Sequence, residues 1–179
     1  MNRFALPLAL FALLVVVLAI SIRHSPDKSL IVSPLVGRAA PGFALPSLTD
    51  AQHRVRSEDL RGRWYLLNVW GTWCVECRAE HAMLVDVAHS GVIPIIGLDW
   101  KDEDDRALEW LAQLGNPYQA VALDHDGRTA IDWGVYGAPE TFLVNAQGVV
   151  VYKLVGPLTR ESWTREFLPR LPRPAGVGF

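Results

Sequence analysis

The sequence predicts an α/β domain, a mixed central sheet flanked by helices, behind an N-terminal apolar segment. Residues Phe4 to Ile22 carry no charge, and only Pro7 and Ser21 fall outside the apolar set. The remainder alternates short aromatic and β-branched runs with stretches whose apolar residues recur at helical spacing. Near the end, two strand-like runs flank Asn145-Ala146-Gln147-Gly148, a turn of hairpin length. Strand–helix–strand, then helix, hairpin and helix is the order of a sheet covered by helices.

As a helix, Phe4–Ile22 would rise roughly 28 Å, close to the ~30 Å hydrocarbon core of a bilayer. A cleaved signal peptide has a shorter apolar core, about 7–15 residues, ending at small residues. Here the only approach to such a site, Val17-Leu18-Ala19, lies inside the run. Residues 1–24 therefore read as an uncleaved transmembrane signal anchor. Arg3 precedes the run, and Arg23, His24 and Lys28 follow it, so basic residues alone do not orient it. The polar, proline-punctuated stretch 25–35 reads as a tether. Residues 36–170 form the domain, and 171–179, with two prolines and two glycines, a flexible tail.

Within the domain, Trp64–Trp70 is a near-continuous apolar run and predicts a buried central strand. Gly71-Thr72 breaks it. Ala79, Met83 and Val87 predict a helix from Cys74 to about Ala88. Val92–Leu98 is a second buried strand. Asp102–Leu114 is an amphipathic helix with Leu108, Leu111 and Leu114 on one side, stopped by Gly115-Asn116-Pro117. Glu140–Val144 and Val149–Val155 form the hairpin, and Thr159 caps a closing helix to Phe167.

The whole chain of 179 residues has a formal net charge of −2. The first 24 residues hold two arginines and no acid, leaving 15 basic against 19 acidic residues, a net of −4. Such a domain lacks the basic stripe that nucleic-acid binding requires. Two cysteines are too few for a disulfide scaffold or a four-cysteine zinc site.

Those two cysteines lie in Trp73-Cys74-Val75-Glu76-Cys77, just after a strand and at the start of a helix. A helix N-terminus carries about +0.5 of a charge and unpaired N–H groups, which favour a thiolate. Cys74 is therefore the candidate nucleophile. Cys77, three residues on along the same helix face, can resolve a mixed disulfide. Haem attachment would need histidine after the second cysteine, and residue 78 is Arg78. A metal site from Cys74, Cys77 and His81 lacks an evident fourth ligand. A permanent structural disulfide gains little from closing so short a loop.

The segment Asn68-Val69-Trp70-Gly71-Thr72-Trp73-Cys74-Val75-Glu76-Cys77-Arg78-Ala79-Glu80-His81 resembles the active-site strand and helix of the DsbE (CcmG) family. These are membrane-anchored, thioredoxin-like thiol:disulfide interchange proteins of cytochrome c maturation. The likeness extends to Gly37–Pro46, to Asp99-Trp100-Lys101-Asp102 with Gly115-Asn116-Pro117-Tyr118, and to Gly134-Val135-Tyr136-Gly137-Ala138-Pro139-Glu140-Thr141-Phe142. It covers roughly residues 36–168. The resemblance implies a thioredoxin-like fold facing the periplasm from a single-pass inner-membrane anchor. It implies a protein-disulfide reductase with no cofactor beyond a redox-active Cys74–Cys77 disulfide. A membrane thiol reductase would supply electrons, and apocytochrome c or a partner thiol protein would accept them. The rival readings are a general anchored reductase with other clients, and a non-catalytic module binding apocytochrome or metal. A peroxidase is disfavoured because the segment before Cys74 lacks that family's proline and threonine framework.

The resemblance also implies residue roles. Ala138-Pro139 matches the cis-proline loop that faces the cysteines and, with Trp73, would contact a bound client. Glu80 and Glu140 fall near the active site, where a carboxylate raises a thiol pKa or takes its proton. Asn68 stands where thioredoxin carries a buried aspartate, which leaves proton handling to the glutamates. The chain departs from the pattern at Val75-Glu76, where proline often takes the second place, and at Ala82, where a kinking proline is expected. Glu76 adds negative charge beside Cys74, which would make the pair more reducing. The run Asp102-Glu103-Asp104-Asp105 reads as a charged helix start.

Overall fold

The computed structural model describes residues 5–23, 33–50 and 52–172. They fall into two units, divided after Ile31. The first contains helix α1, Ala5–Arg23. Side chains are described there from Leu6 to Ser21, and all are exposed. That stretch rises only about 24 Å, and among the described residues no helix is long and apolar enough to cross a membrane. Most of the expected tether, and the tail beyond residue 172, lie outside the described residues.

The second unit is built on one five-stranded sheet. Its strands are β3 (Tyr65–Trp70), β4 (Ile95–Trp100), β5 (Ala120–Asp124), β6 (Glu140–Val144) and β7 (Val150–Val155), in the order β5-β4-β3-β6-β7. β3, β4 and β5 run parallel, whereas β6 and β7 are antiparallel to their neighbours. β3 is buried along its whole length because it is central and covered on both faces. Alternate residues feed two cores. Leu66, Trp70 and Leu143 pack with Leu84 and Val87 of α2 (Val75–Ser90), Trp110 and Leu111 of α3 (Asp104–Leu114), and Phe167. Leu67, Val69, Leu98 and Phe142 pack on the other face with Phe43, Val55, Trp133 and Val135.

The mixed sheet and its flanking helices match expectation, with shifted ends. α2 continues to Ser90 and is closed by Gly91, whose φ of 66° suits glycine. Val92–Pro94 then becomes the return loop, and β4 starts at Ile95. α3 starts at Asp104 because Asp102 is engaged elsewhere. Thr159 caps its helix as expected, in a reciprocal pair with Ser162. That helix is one turn, α5 (Arg160–Ser162), before the chain widens into a π turn over Trp163–Phe167.

Four elements carried too little pattern to be read from sequence. These are β5, helix α4 (Arg128–Asp132) and the small antiparallel hairpin β1 (Ala44–Pro46) with β2 (Arg54–Arg56). Each is five residues or fewer, shorter than a periodicity needs to declare itself. β5 is itself an edge strand, and the hairpin and the segments flanking it cover the sheet edges. Leu48 N–H bonds Val121 of β5, and the 37–40 segment bonds Gly148 and Val150 beside β7.

Candidate active site

The candidate site lies where β3 hands over to α2. Gly71 breaks the strand, and a Cβ there would come within 2.5 Å of the Trp73 indole, so glycine is required for the close turn. Thr72 is fastened by Asp102, which accepts its backbone N–H and, at 2.7 Å, its hydroxyl. Asp104 and Asp105 do lie in the first turn of α3, as expected of a charged helix start, while Asp102 just before it staples the active-site turn. Trp73 is half exposed, with its Nε1–H on the Trp100 carbonyl at 3.0 Å.

Cys74 is the N-cap of α2, and its Sγ accepts the Cys77 N–H at 3.0 Å. The two cysteines form a disulfide, with Cα atoms 5.2 Å apart. Both are nearly closed to solvent, Cys74 at 5% and Cys77 at 3%. The intervening Val75 and Glu76 are exposed. The Cys77 N–H of the first turn therefore points at the sulfur of Cys74, the arrangement that stabilises a thiolate once the disulfide opens.

The Ala138–Pro139 bond is cis, as the resemblance implied. Ala138 packs on the core cluster that includes both cysteines, and the Pro139 carbonyl accepts Gly156 N–H at 2.9 Å. Register explains the meeting. Val69, near the end of β3, pairs with Glu140, the first residue of β6 after the proline.

Glu80 lies beneath the pair and is 1% exposed. Its carboxylate accepts Asn68 Nδ2–H at 2.9 Å and Leu158 N–H at 2.6 Å. Tyr118 donates its hydroxyl to Asn68 Oδ1 at 2.8 Å, and Asn68 Nδ2 also reaches Thr141 Oγ1. Burial raises Glu80 to about 7, and the two donors only partly offset it. Burial likewise pushes Tyr118 well above its ordinary value, so it stays a donor. Asn68 is thus an oriented bridge.

Glu140 is equally buried but lies on the other sheet face, since Thr141, next along the strand, faces Asn68. Its partners are Lys153, at 2.8 Å, the Tyr136 N–H, at 3.3 Å, and the Gly137 backbone; none of these is a cysteine. Burial raises its pKa and Lys153 opposes that. His81, weighed from sequence as a metal ligand and set aside, has both ring nitrogens engaged, Nδ1 by Trp110 Nε1–H and Nε2 by the Gly115 carbonyl.

Sequence reading missed three buried polar residues around the site: Asp99, Tyr118 and Lys153. Asp99 is pushed up to about 8, first by burial and then by neighbouring Asp102 and Asp104. Asp99 and Lys153 sit in apolar runs where a strand core was the simpler reading, and Tyr118 sits in the loop that follows the Gly115-Asn116-Pro117 stop. The only available signal was a charge interrupting such a run.

The AhpC/TSA family model matches residues 36–153. The chain is 41% identical to the thiol:disulfide interchange protein DsbE of Allochromatium vinosum over 175 residues, covering 98% of this chain and 96% of that one. It is 41% identical to DsbE of Pseudomonas aeruginosa over 92% of this chain and 89% of that one. The chain belongs to the DsbE thiol:disulfide interchange family, within the broader AhpC/TSA group. A related protein named CycY, from Rhizobium leguminosarum bv. viciae, is 44% identical over 77% of this chain and 70% of its own. In fold the chain is similar to a secreted thiol-disulfide isomerase from Corynebacterium glutamicum (TM-score 0.67, 23% identity, 82% of this chain and 94% of that one). A DsbF homologue from Corynebacterium diphtheriae gives a TM-score of 0.63 at 21% identity, over 79% of this chain and 93% of that one. As a DsbE-family member with a thioredoxin-like fold, the chain is a thiol:disulfide oxidoreductase, and its Cys-x-x-Cys pair stands as a disulfide.

Proposed function

We propose that the domain is a reductant in cytochrome c maturation, keeping the haem-binding cysteines of apocytochrome c reduced. Cys74 at the helix cap, with the Cys77 N–H on its sulfur, is the observation that supports a nucleophile there. In the reduced protein the Cys74 thiolate attacks one sulfur of a client disulfide. That S–S bond breaks, a Cys74–client disulfide forms, and the first client thiolate leaves and is protonated by water. Cys77 gives its proton to Glu80, one helical turn away, and attacks the Cys74 sulfur. The second client thiolate leaves and is protonated as Glu80 returns its proton through solvent, so the client gains two electrons and two protons while Cys74–Cys77 becomes a disulfide. A membrane thiol reductase would reopen it by the reverse exchange. Trp73, Ala138 and Pro139 would hold the client, Glu76 would tune Cys74, and no cofactor or metal takes part. Helix α1 would anchor the chain in the inner membrane with the domain in the periplasm. The uncharged, mostly apolar run in the sequence supports that anchor.

Substituting Cys77 by serine tests the reading. The reduced variant should trap an oxidised Cys-x-x-Cys-His peptide as a mixed disulfide through Cys74. If no adduct forms, the reductase assignment fails. If peptides without the histidine are trapped equally fast and apocytochrome is not preferred in extracts, the general-reductase reading replaces it.

A further inference from the structure

We propose that Lys153 is the positioning residue of the cis-proline loop, tying its two ends together and holding Tyr136 between them for a client to meet. The proposal rests on the thiol:disulfide reading of the Cys74–Cys77 site. Lys153 comes from β7, and its side chain is almost fully buried. Its ammonium lies 2.8 Å from the Glu140 carboxylate, just after the cis bond, and donates to the Gly134 carbonyl at 2.9 Å, where the loop begins. The same nitrogen lies 4.8 Å from the centre of the Tyr136 ring and 5.1 Å from that of Phe142. Glu140 in turn accepts the Tyr136 N–H. Three residues further along β7, Gly156 holds the Pro139 carbonyl.

A buried ion pair is a weak stability device, because desolvating two charges offsets most of their attraction. Its value is directional. One ammonium here specifies the start, middle and end of a loop that Gly134 and Gly137 would otherwise leave loose. Tyr136 remains 59% exposed although it is a large aromatic. Its ring is held from below by the cation and turned outward from the loop that carries the cis-proline. An aromatic surface fixed in this way suits an apolar or aromatic residue flanking the client's cysteines.

The test compares two substrates on the full-length chain. One is dithiothreitol, which needs only the cysteines; the other is an oxidised Cys-x-x-Cys-His peptide, which must also dock. Lys153→Met is expected to exchange with dithiothreitol within twofold of wild type. It should lose tenfold or more in kcat/KM for the peptide, chiefly through KM, and Lys153→Arg should recover most of that loss. Wild-type peptide kinetics in Lys153→Met, or equal slowing with both substrates, would overturn the proposal. Should Lys153→Met fail to fold, Tyr136→Ala decides the matter, because that side chain is exposed. It should slow the peptide reaction by at least fivefold, and an unchanged rate overturns the proposal. Failure of the underlying reading shows separately, as wild-type protein that never exchanges with the peptide, and it takes this proposal down with it.

Discussion

Glu80 accepts two hydrogen bonds and has no cation partner among the described residues, and burial holds its carboxyl near 7 rather than at 4.5. A raised folded value means that the stability from this group is complete below pH 4.5 and is lost as pH rises through about 7. A shift of that size corresponds to roughly 3 kcal/mol across the window. Glu80→Gln should flatten the urea-midpoint profile between pH 4.5 and 8, and a slope as steep as wild type would contradict the assignment. The same variant should slow resolution of the mixed disulfide by about a hundredfold near pH 7, the low end for a general base. Stopped-flow measurement of thiol release checks this. Glu76 acts from the surface, one turn before Glu80, where solvent screens it. Glu76→Gln should lower the Cys74 pKa by a few tenths of a unit and make the pair less reducing. Alkylation rate against pH reads the first effect, and a higher pKa would refute it.

Among the elements, the β3–α2 turn shows why spacing alone was an incomplete guide. Cys-x-x-Cys between a strand and a helix was legible from the break at Gly71-Thr72 and the 3.6-residue pattern that follows. Its fastening was not, because Asp102 lies thirty residues away in sequence and resembled one more acid at a helix start. Asp102→Ala should cost about 1–2 kcal/mol, the size of two hydrogen bonds lost at a partly exposed site. It should also leave Thr72 free, so that Cys74 alkylation in the reduced protein becomes faster. Equal stability measured by urea unfolding would argue against the staple. α2 runs unbroken from Val75 to Ser90. Ala82, standing where a kinking proline was expected, has the N–H that proline would lack. The elements missed from sequence were short ones, whose order comes from lying along a sheet edge rather than from their own periodicity.

For the domain as a whole, the four buried carboxyls Glu80, Asp99, Asp124 and Glu140 are all raised, each first by burial. Groups raised in the folded state favour it at low pH and stop doing so as pH climbs through their folded values, about 7 for Glu80 and about 8 for Asp99. The domain should therefore melt at a higher temperature at pH 5.5 than at pH 8.5, by several degrees. Calorimetry at the two pH values would expose the opposite order. The division after Ile31 makes a second expectation. A chain beginning at Ser33 should fold cooperatively and keep its dithiothreitol exchange, while losing the membrane association that the full chain would show by fractionation. Equal partitioning of the two would remove α1 from the anchoring role.

By itself the sequence determined the central strand, the Cys-x-x-Cys pair at a helix start, the hairpin, and the α/β class. These depend on local periodicity and on two cysteines whose placement at a helix start has immediate chemical meaning. The resemblance added the cis-proline. Tertiary structure decided how the two glutamates differ. Both are buried, but β6 turns Glu140 to the face opposite Glu80, where it meets Lys153. Lys153 reaches Glu140 across the local β6–β7 hairpin, but the sheet face that Glu140 takes depends on pairing register between segments some seventy residues apart. That is a non-local property, and no local window contains it.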